Sequence, residues 1–165
     1  MNYPNGVYIA FNLSRETEEN IKKYCEENLP DMEMNEDLHC TLVYSKKPHE
    51  PRIKRDHCRC SGKPKKFSIF GEDDKSLVLE IDSEELKKMN HEKMKEHDFV
   101  SDFDEYKPHV TFVYGWAWEV DLEKLPPVDF PIEMEHQIVE GLDEEAMDSD
   151  KEEEKEWYET IWFSM

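Results

Sequence analysis

A chain of 165 residues is the size of one domain and can bury roughly two-thirds of the surface its unfolded form exposes. Its 41 acids against 21 bases give a net charge of −20, which disfavours long polyanions and anionic membranes as partners, and 12% aromatic residues exclude a disordered chain. No apolar run reaches the roughly 18 residues of a membrane span, and no basic-then-apolar leader opens the sequence, so no signal peptide is expected.

In chain order, residues 6–13 (GVYIAFNL) read as a strand. Ser14 is placed to cap a helix running to about Leu29, with Ile21, Tyr24, Cys25 and Asn28/Leu29 on one face and Pro30 and Asp31 as its stop. Residues 37–45 (DLHCTLVYS) are a strand, and the basic stretch 46–66, with Pro48, Pro51, Gly62 and Pro64, reads as a loop. Residues 66–71 and 76–81 form a hairpin. Asp82 or Ser83 caps a second helix, and Asp82 with Glu85 has capping-box spacing. Leu86, Met89, Asn90, Lys93, Met94 and His97 trace the inner face and edge of that helix. Residues 108–114 (PHVTFVY) are a strand, and 115–130 a loop in which Trp116 and Trp118 are expected to pack beside the second motif. Residues 131–142 are a strand. Residues 143–156 form an acidic insertion expected to be mobile or disordered, and 157–163 (WYETIWF) a final strand or lid.

Charge is uneven along this order. Between Lys46 and Lys66 stand nine bases and two acids, so that segment is +7 and the rest of the chain −27. It is either a solvated loop or a cradle for an anionic ligand, and it begins five residues after Thr41.

Two hexapeptides carry the chemistry. HCTLVY at 39–44 returns as HVTFVY at 109–114, and each follows a strand–helix unit. The chain is therefore read as two βαβ halves around a pseudo-two-fold axis, with His39 opposite His109. Residues i and i+2 of a strand share a face, so His39 joins Thr41 and His109 joins Thr111 in one space. One HxT on a strand is weak evidence, because a lone strand histidine is usually structural. Two copies in equivalent places are much stronger. One neutral imidazole can take a proton from an attacking hydroxyl, and the other, protonated, can give one to a leaving oxygen. The threonine hydroxyls can hold the nonbridging oxygens of a phosphate. Such a site needs no metal or other cofactor. His57, Cys58 and Cys60 lack the spacing and the fourth ligand of a zinc site. The four cysteines read as reduced thiols, and His49, His91, His97 and His136 as surface residues.

With these motifs the sequence resembles the two-histidine (2H) phosphoesterase superfamily, and more closely the phage-encoded anti-CBASS cyclic-oligonucleotide phosphodiesterases. The resembling stretches are GVYIAFNL, DLHCTLVYSKK, FSIFGEDDKSLVLEIDSEEL, YKPHVTFVYG and LPPVDFPIEMEHQIVEGLDEE, spread to about residue 145. The resemblance implies an α+β, 2H phosphoesterase-like bilobal fold: two pseudo-symmetric βαβ-type halves with antiparallel sheets flanking a central cleft, in a single domain over 1–165. It implies a metal-independent phosphodiesterase that cuts cyclic di- and trinucleotide alarms, such as 3′,3′-cGAMP, in the host cytosol during infection, and so evades the bacterial CBASS defence. His39, Thr41, His109 and Thr111 match its catalytic motifs. Tyr8 matches an aromatic that stacks on a ligand base, and Glu140 a carboxylate that contacts one. The family has a tryptophan soon after that carboxylate; here the acidic insertion fills the space, and Trp157 is the next candidate to cover the ligand. The partner implied is a small cyclic oligonucleotide, with no long nucleic acid and no membrane. Two alternatives stay open: a 2H enzyme acting on RNA 2′,3′-cyclic phosphates or 2′–5′ oligonucleotides, and a sponge that binds a cyclic nucleotide without cutting it.

Overall fold

The computed structural model describes residues 2–56, 58–71, 75–100, 105–115 and 120–142. Among them lie six strands and two α-helices: β1 (Val7–Leu13), α1 (Arg15–Asn28), β2 (His39–Ser45), β3 (Cys60–Phe70), β4 (Ser76–Asp82), α2 (Glu84–Glu96), β5 (His109–Val113) and β6 (Ile132–Gly141). A short 3-10 turn spans Leu122–Lys124. No helix among the described residues is long and apolar enough to cross a membrane. Residues 116–119, 143–156 and 157–163, with the expectations attached to them, lie outside the described residues.

All strand pairs are antiparallel, and they close in the order β1-β2-β5-β4-β3-β6. Each half contributes three strands, β6-β1-β2 and β3-β4-β5. The halves join at β2–β5 and at β3–β6. Alternation along β1 sends Val7, Ile9, Phe11 and Leu13 into the hydrophobic core with Ile21, Tyr24 and Cys25 of α1, and turns Tyr8, Ala10 and Asn12 to the opposite face.

The repeat extends to the register. Ala10 pairs with Thr41 and Asn12 with His39, as Val78 pairs with Thr111 and Glu80 with His109. Each ladder shifts once, between Ile9 and Ala10 and between Leu77 and Val78. The extra residues left by these shifts are Leu42 and Phe112, both fully buried. A bulge re-aims the side chains beside it and sharpens the local twist. Here each HxT ends at one.

Two sequence expectations are corrected. β3 begins at Cys60, so the last part of the basic stretch is strand and not loop. Pro64 suggested a loop because it has no N–H to give a ladder, but it sits where the β3–β4 register shifts, between Pro64 and Lys66, and a bulge tolerates the missing donor. The extension carries function in the fold, since Cys60, Ser61 and Gly62 pair with Met134, Glu133 and Ile132 of β6 and close the ring. The cap of α2 is Ser83, whose Oγ accepts from the Leu86 amide at 3.2 Å, and not Asp82 with its capping-box partner Glu85. Ser14 caps α1 as expected, accepting from the Thr17 amide at 3.1 Å. On α2, Leu86 is buried and the Asn90 side chain donates to the Leu42 carbonyl at 2.8 Å.

Candidate active site

The two HxT motifs meet at the β2–β5 seam. Cys40 pairs with Val110 there. Each lies between the histidine and threonine of its motif, so an antiparallel ladder through that pair sets His39 across from Thr111 and Thr41 across from His109. Cys40 and Val110 belong to the hydrophobic core, and the four polar side chains occupy the other face. All four are nonetheless buried: His39 is 8% exposed, Thr41 and His109 4%, and Thr111 not at all.

Reciprocal hydrogen bonds brace the seam. Asn35, just before β2, gives one side-chain hydrogen bond to the Thr111 carbonyl at 3.0 Å and another to the Asp37 carbonyl at 3.0 Å. Tyr106, just before β5, donates from its hydroxyl to the Thr41 carbonyl at 2.7 Å. Each half thus holds the backbone of the other half's threonine.

The imidazoles are oriented by one device used twice. His39 Nδ1–H donates to the Asp37 carbonyl at 2.9 Å, and His109 Nδ1–H donates to the Lys107 carbonyl at 2.8 Å. A carbonyl only accepts, so both rings carry hydrogen on Nδ1 and leave Nε2 for a reacting group. The Nε2 of His39 is buried and has no hydrogen-bond partner among the described residues. Such an atom is costly unless a ligand uses it. Burial lowers the pKa of both rings. His109 falls to about 4, chiefly by burial and in part by the nearby His39, with the Lys107 carbonyl and Glu80 working against them. At His39, Asp37 is the main influence working against burial. The Cys40–Val110 register sets both imidazoles on one face of the seam.

Around this pair stand aromatic and acidic groups. The Tyr8 ring meets His39 edge-on with centroids 6.3 Å apart, and Phe70 meets His109 edge-on at 5.1 Å. Burial raises the Tyr8 phenol well above its ordinary pKa, which the neighbouring Thr41 hydroxyl opposes; Asp37, Tyr114 and Glu140 raise it further. Glu140 is also the β6 partner of Tyr8 in the ladder. The structure therefore brings Tyr8 and Glu140 to the HxT face, whereas Trp157 lies outside the described residues. A hollow of about 580 Å³ lined by residues 31–37 and 113–115 adjoins the Asp37 side of the site, and the histidines and threonines of the motifs do not line it.

Part of the basic stretch is committed elsewhere. Lys47 pairs with Asp98 at 2.6 Å, and Asp56, one of its two acids, pairs with Lys93 of α2 at 3.1 Å. Lys66 reaches Glu80, the ladder partner of His109, at 3.8 Å. His49 is not a plain surface residue, since its ring packs against Tyr3, His97 and Phe99. No group of three or more His, Cys, Asp or Glu among the described residues is arranged to hold a metal ion.

Sequence reasoning missed Asp37, Glu80 and Phe70. Asp37 had a signal: it and Lys107 stand two residues before their histidines, where a strand residue shares the histidine's face. Glu80 and Phe70 had none, because only the β3–β4–β5 register brings them to His109.

Residues 5–149 match the family described as "Anti-CBASS protein Acb1". No curated protein matches the chain. Among solved structures, one described as a phosphoesterase is 15% identical with a TM-score of 0.51, over 82% of this chain and 87% of that one. E. coli LigT in its apo form is 16% identical with a TM-score of 0.49, over 83% of this chain and 87% of that one. At such identities the first likeness speaks for the fold alone.

Proposed function

The chain belongs to the family of anti-CBASS protein Acb1, and from that premise we propose that it is a phosphodiesterase of the 2H superfamily that cuts cyclic di- and trinucleotide immune signals such as 3′,3′-cGAMP without a metal. The observation that carries this reading is the pair of imidazoles held by their Nδ1 atoms, with a threonine beside each and the His39 Nε2 without a hydrogen-bond partner among the described residues. One histidine removes a proton from the attacking ribose 2′-OH or water. The other protonates the departing 5′-oxygen, and Thr41 and Thr111 hold the phosphate oxygens as charge develops.

Tyr8 and Glu140 supply the base contacts in this reading: the phenol ring offers a stacking surface and the carboxylate accepts from exocyclic amines. Net charge supports a small ligand over a long RNA, because −20 repels an extended polyanion. The host cytosol is where such a signal would be met.

The experiment is incubation of the purified protein with 3′,3′-cGAMP in EDTA, with products read by mass spectrometry beside His39→Ala and His109→Ala. Cleavage that survives EDTA and is lost in both variants supports the reading. Recovery of intact nucleotide from the wild type rejects it, and cleavage that EDTA abolishes rejects its metal-free part.

A further inference from the structure

We propose that Asp37 is a positioning residue that divides the work of the two histidines, holding His39 as the general acid and leaving His109 as the general base. This rests on the phosphodiesterase reading above and deepens it.

The repeat treats the two rings alike in the ladder, the bulge and the Nδ1 hydrogen bond. It breaks at the residue that supplies the carbonyl. In the first half that residue is Asp37, whose Oδ2 lies 3.8 Å from His39 Nδ1. In the second half it is Lys107, whose side chain has no carboxylate to offer. A carboxylate beside Nδ1 favours the imidazolium form, the form a general acid must have before it acts. A neutral ring is what a general base requires.

The other groups facing each ring leave this difference standing. His39 has the neutral Asn12 as its β1 partner and the Tyr8 ring beside it. His109 has the Phe70 ring from β3 and Glu80 from β4. Among the described residues, Glu80 is the carboxylate that pulls the other way. Its Oε2 accepts from the Ser68 hydroxyl and lies 3.8 Å from Lys66 Nζ, so its charge is engaged toward β3. The titration tendencies run in the same order: burial lowers both rings, Asp37 is the main influence opposing it at His39, and His109 falls to about 4 with Glu80 the weakest of the influences upon it.

The step balances as follows. The 2′-OH proton passes to His109 Nε2 as the O2′–P bond forms. The P–O5′ bond breaks, and O5′ takes the proton of His39 Nε2. Water then attacks the 2′,3′-cyclic phosphate. His39, now neutral, accepts the water proton, and His109 returns its proton to O2′ as the O2′–P bond breaks. Both histidines end as they began.

Asp37→Asn keeps the backbone carbonyl, and its side chain is 89% exposed, so the fold has little reason to change. Two readouts on the full chain test the proposal. The first is an NMR titration of the histidine Cε1–H signals. His39 should titrate above His109, and Asp37→Asn should lower its midpoint by roughly half a pH unit, the size an exposed pair supports, while His109 holds still. The second uses 3′,3′-cGAMP with bridging sulfur in place of each 5′-oxygen. A thiolate departs without a proton, so His39→Ala should cut this analogue at close to the wild-type rate and His109→Ala should not. Rescue of His109→Ala in place of His39→Ala, or a His39 midpoint unmoved by Asp37→Asn, overturns the proposal. Should the wild type cut neither nucleotide, the cyclic-nucleotide reading fails on its own, and the order of the two titrations still decides the role of Asp37.

Discussion

Cys40 of β2 faces Val110 of β5 across the seam that joins the two halves, and both are fully buried. That one pairing turns two separate motifs into one site. A slip of one residue would send either motif's histidine and threonine to the core face. The buried pair therefore sets the register on which the chemistry depends, although neither residue touches the reacting groups.

The threonine opposite each histidine should matter for rate more than for stability. Thr41→Val and Thr111→Val each remove one hydroxyl from the proposed phosphate site and keep a branched side chain. Each should lower kcat roughly 100-fold, the loss seen when one donor to a developing oxyanion is removed. Steady-state kinetics on 3′,3′-cGAMP would check this, with circular dichroism to confirm an unchanged fold. Rates within about twofold of wild type would remove the threonines from the mechanism.

His109 should make stability depend on acid. Its folded pKa of about 4 lies below the ordinary value of 6.5. Between these values the unfolded chain binds a proton that the folded one refuses. The neutral ring's contribution is thus complete above about pH 6.5 and is lost as pH falls through 4, in total on the order of 3 kcal/mol. Urea unfolding at pH 7 and pH 5 should show the wild type losing more stability than His109→Asn. An equal loss in both proteins would assign the acid sensitivity to other groups.

Thiol chemistry should separate one cysteine from the other three. All four are free. Burial pushes the Cys25, Cys40 and Cys60 thiols up to about 12, while Cys58 is only half-buried and raised less. Thiolate is the reactive form. At pH 8 a chromogenic disulfide should titrate one thiol quickly in the folded protein and four after denaturation. Fast reaction of more than one would show that the core around the seam opens readily.

Gly62 should resist any side chain. A Cβ there would clash with Cγ2 of the buried Ile81, in the part of β3 that closes the ring against β6. A strand glycine at such a contact marks a close approach of neighbours. Gly62→Ala should cost about 1–3 kcal/mol by overpacking, read as a lower urea midpoint. A variant as stable as the wild type would mean that Ile81 has room to move.

The repeated HxT, the strand–helix unit before each copy and the alternation of apolar and polar residues were legible without a structure. These depend on local periodicity, and a motif written twice carries its symmetry in the text. The Ser14 cap and the bounds of α1 were legible for the same reason. The first part of β3 was not. Pro64 and a run of bases outweighed the strand signal, because the pairing with β6 that makes Cys60–Gly62 a strand comes from residues 132–134, about 70 positions away. The asymmetry between the histidines is divided in the same manner. Asp37 and Lys107 can be read beside their histidines, but the burial that pulls down His109 and the placing of Glu80 against it come from ladders between distant strands. The sequence by itself determined which groups the two strands present to one face, since residue type and strand period decide that. Only the tertiary structure decided which way burial and neighbours push each group's pKa and what it faces, since register, desolvation and proximity arise when distant segments pack.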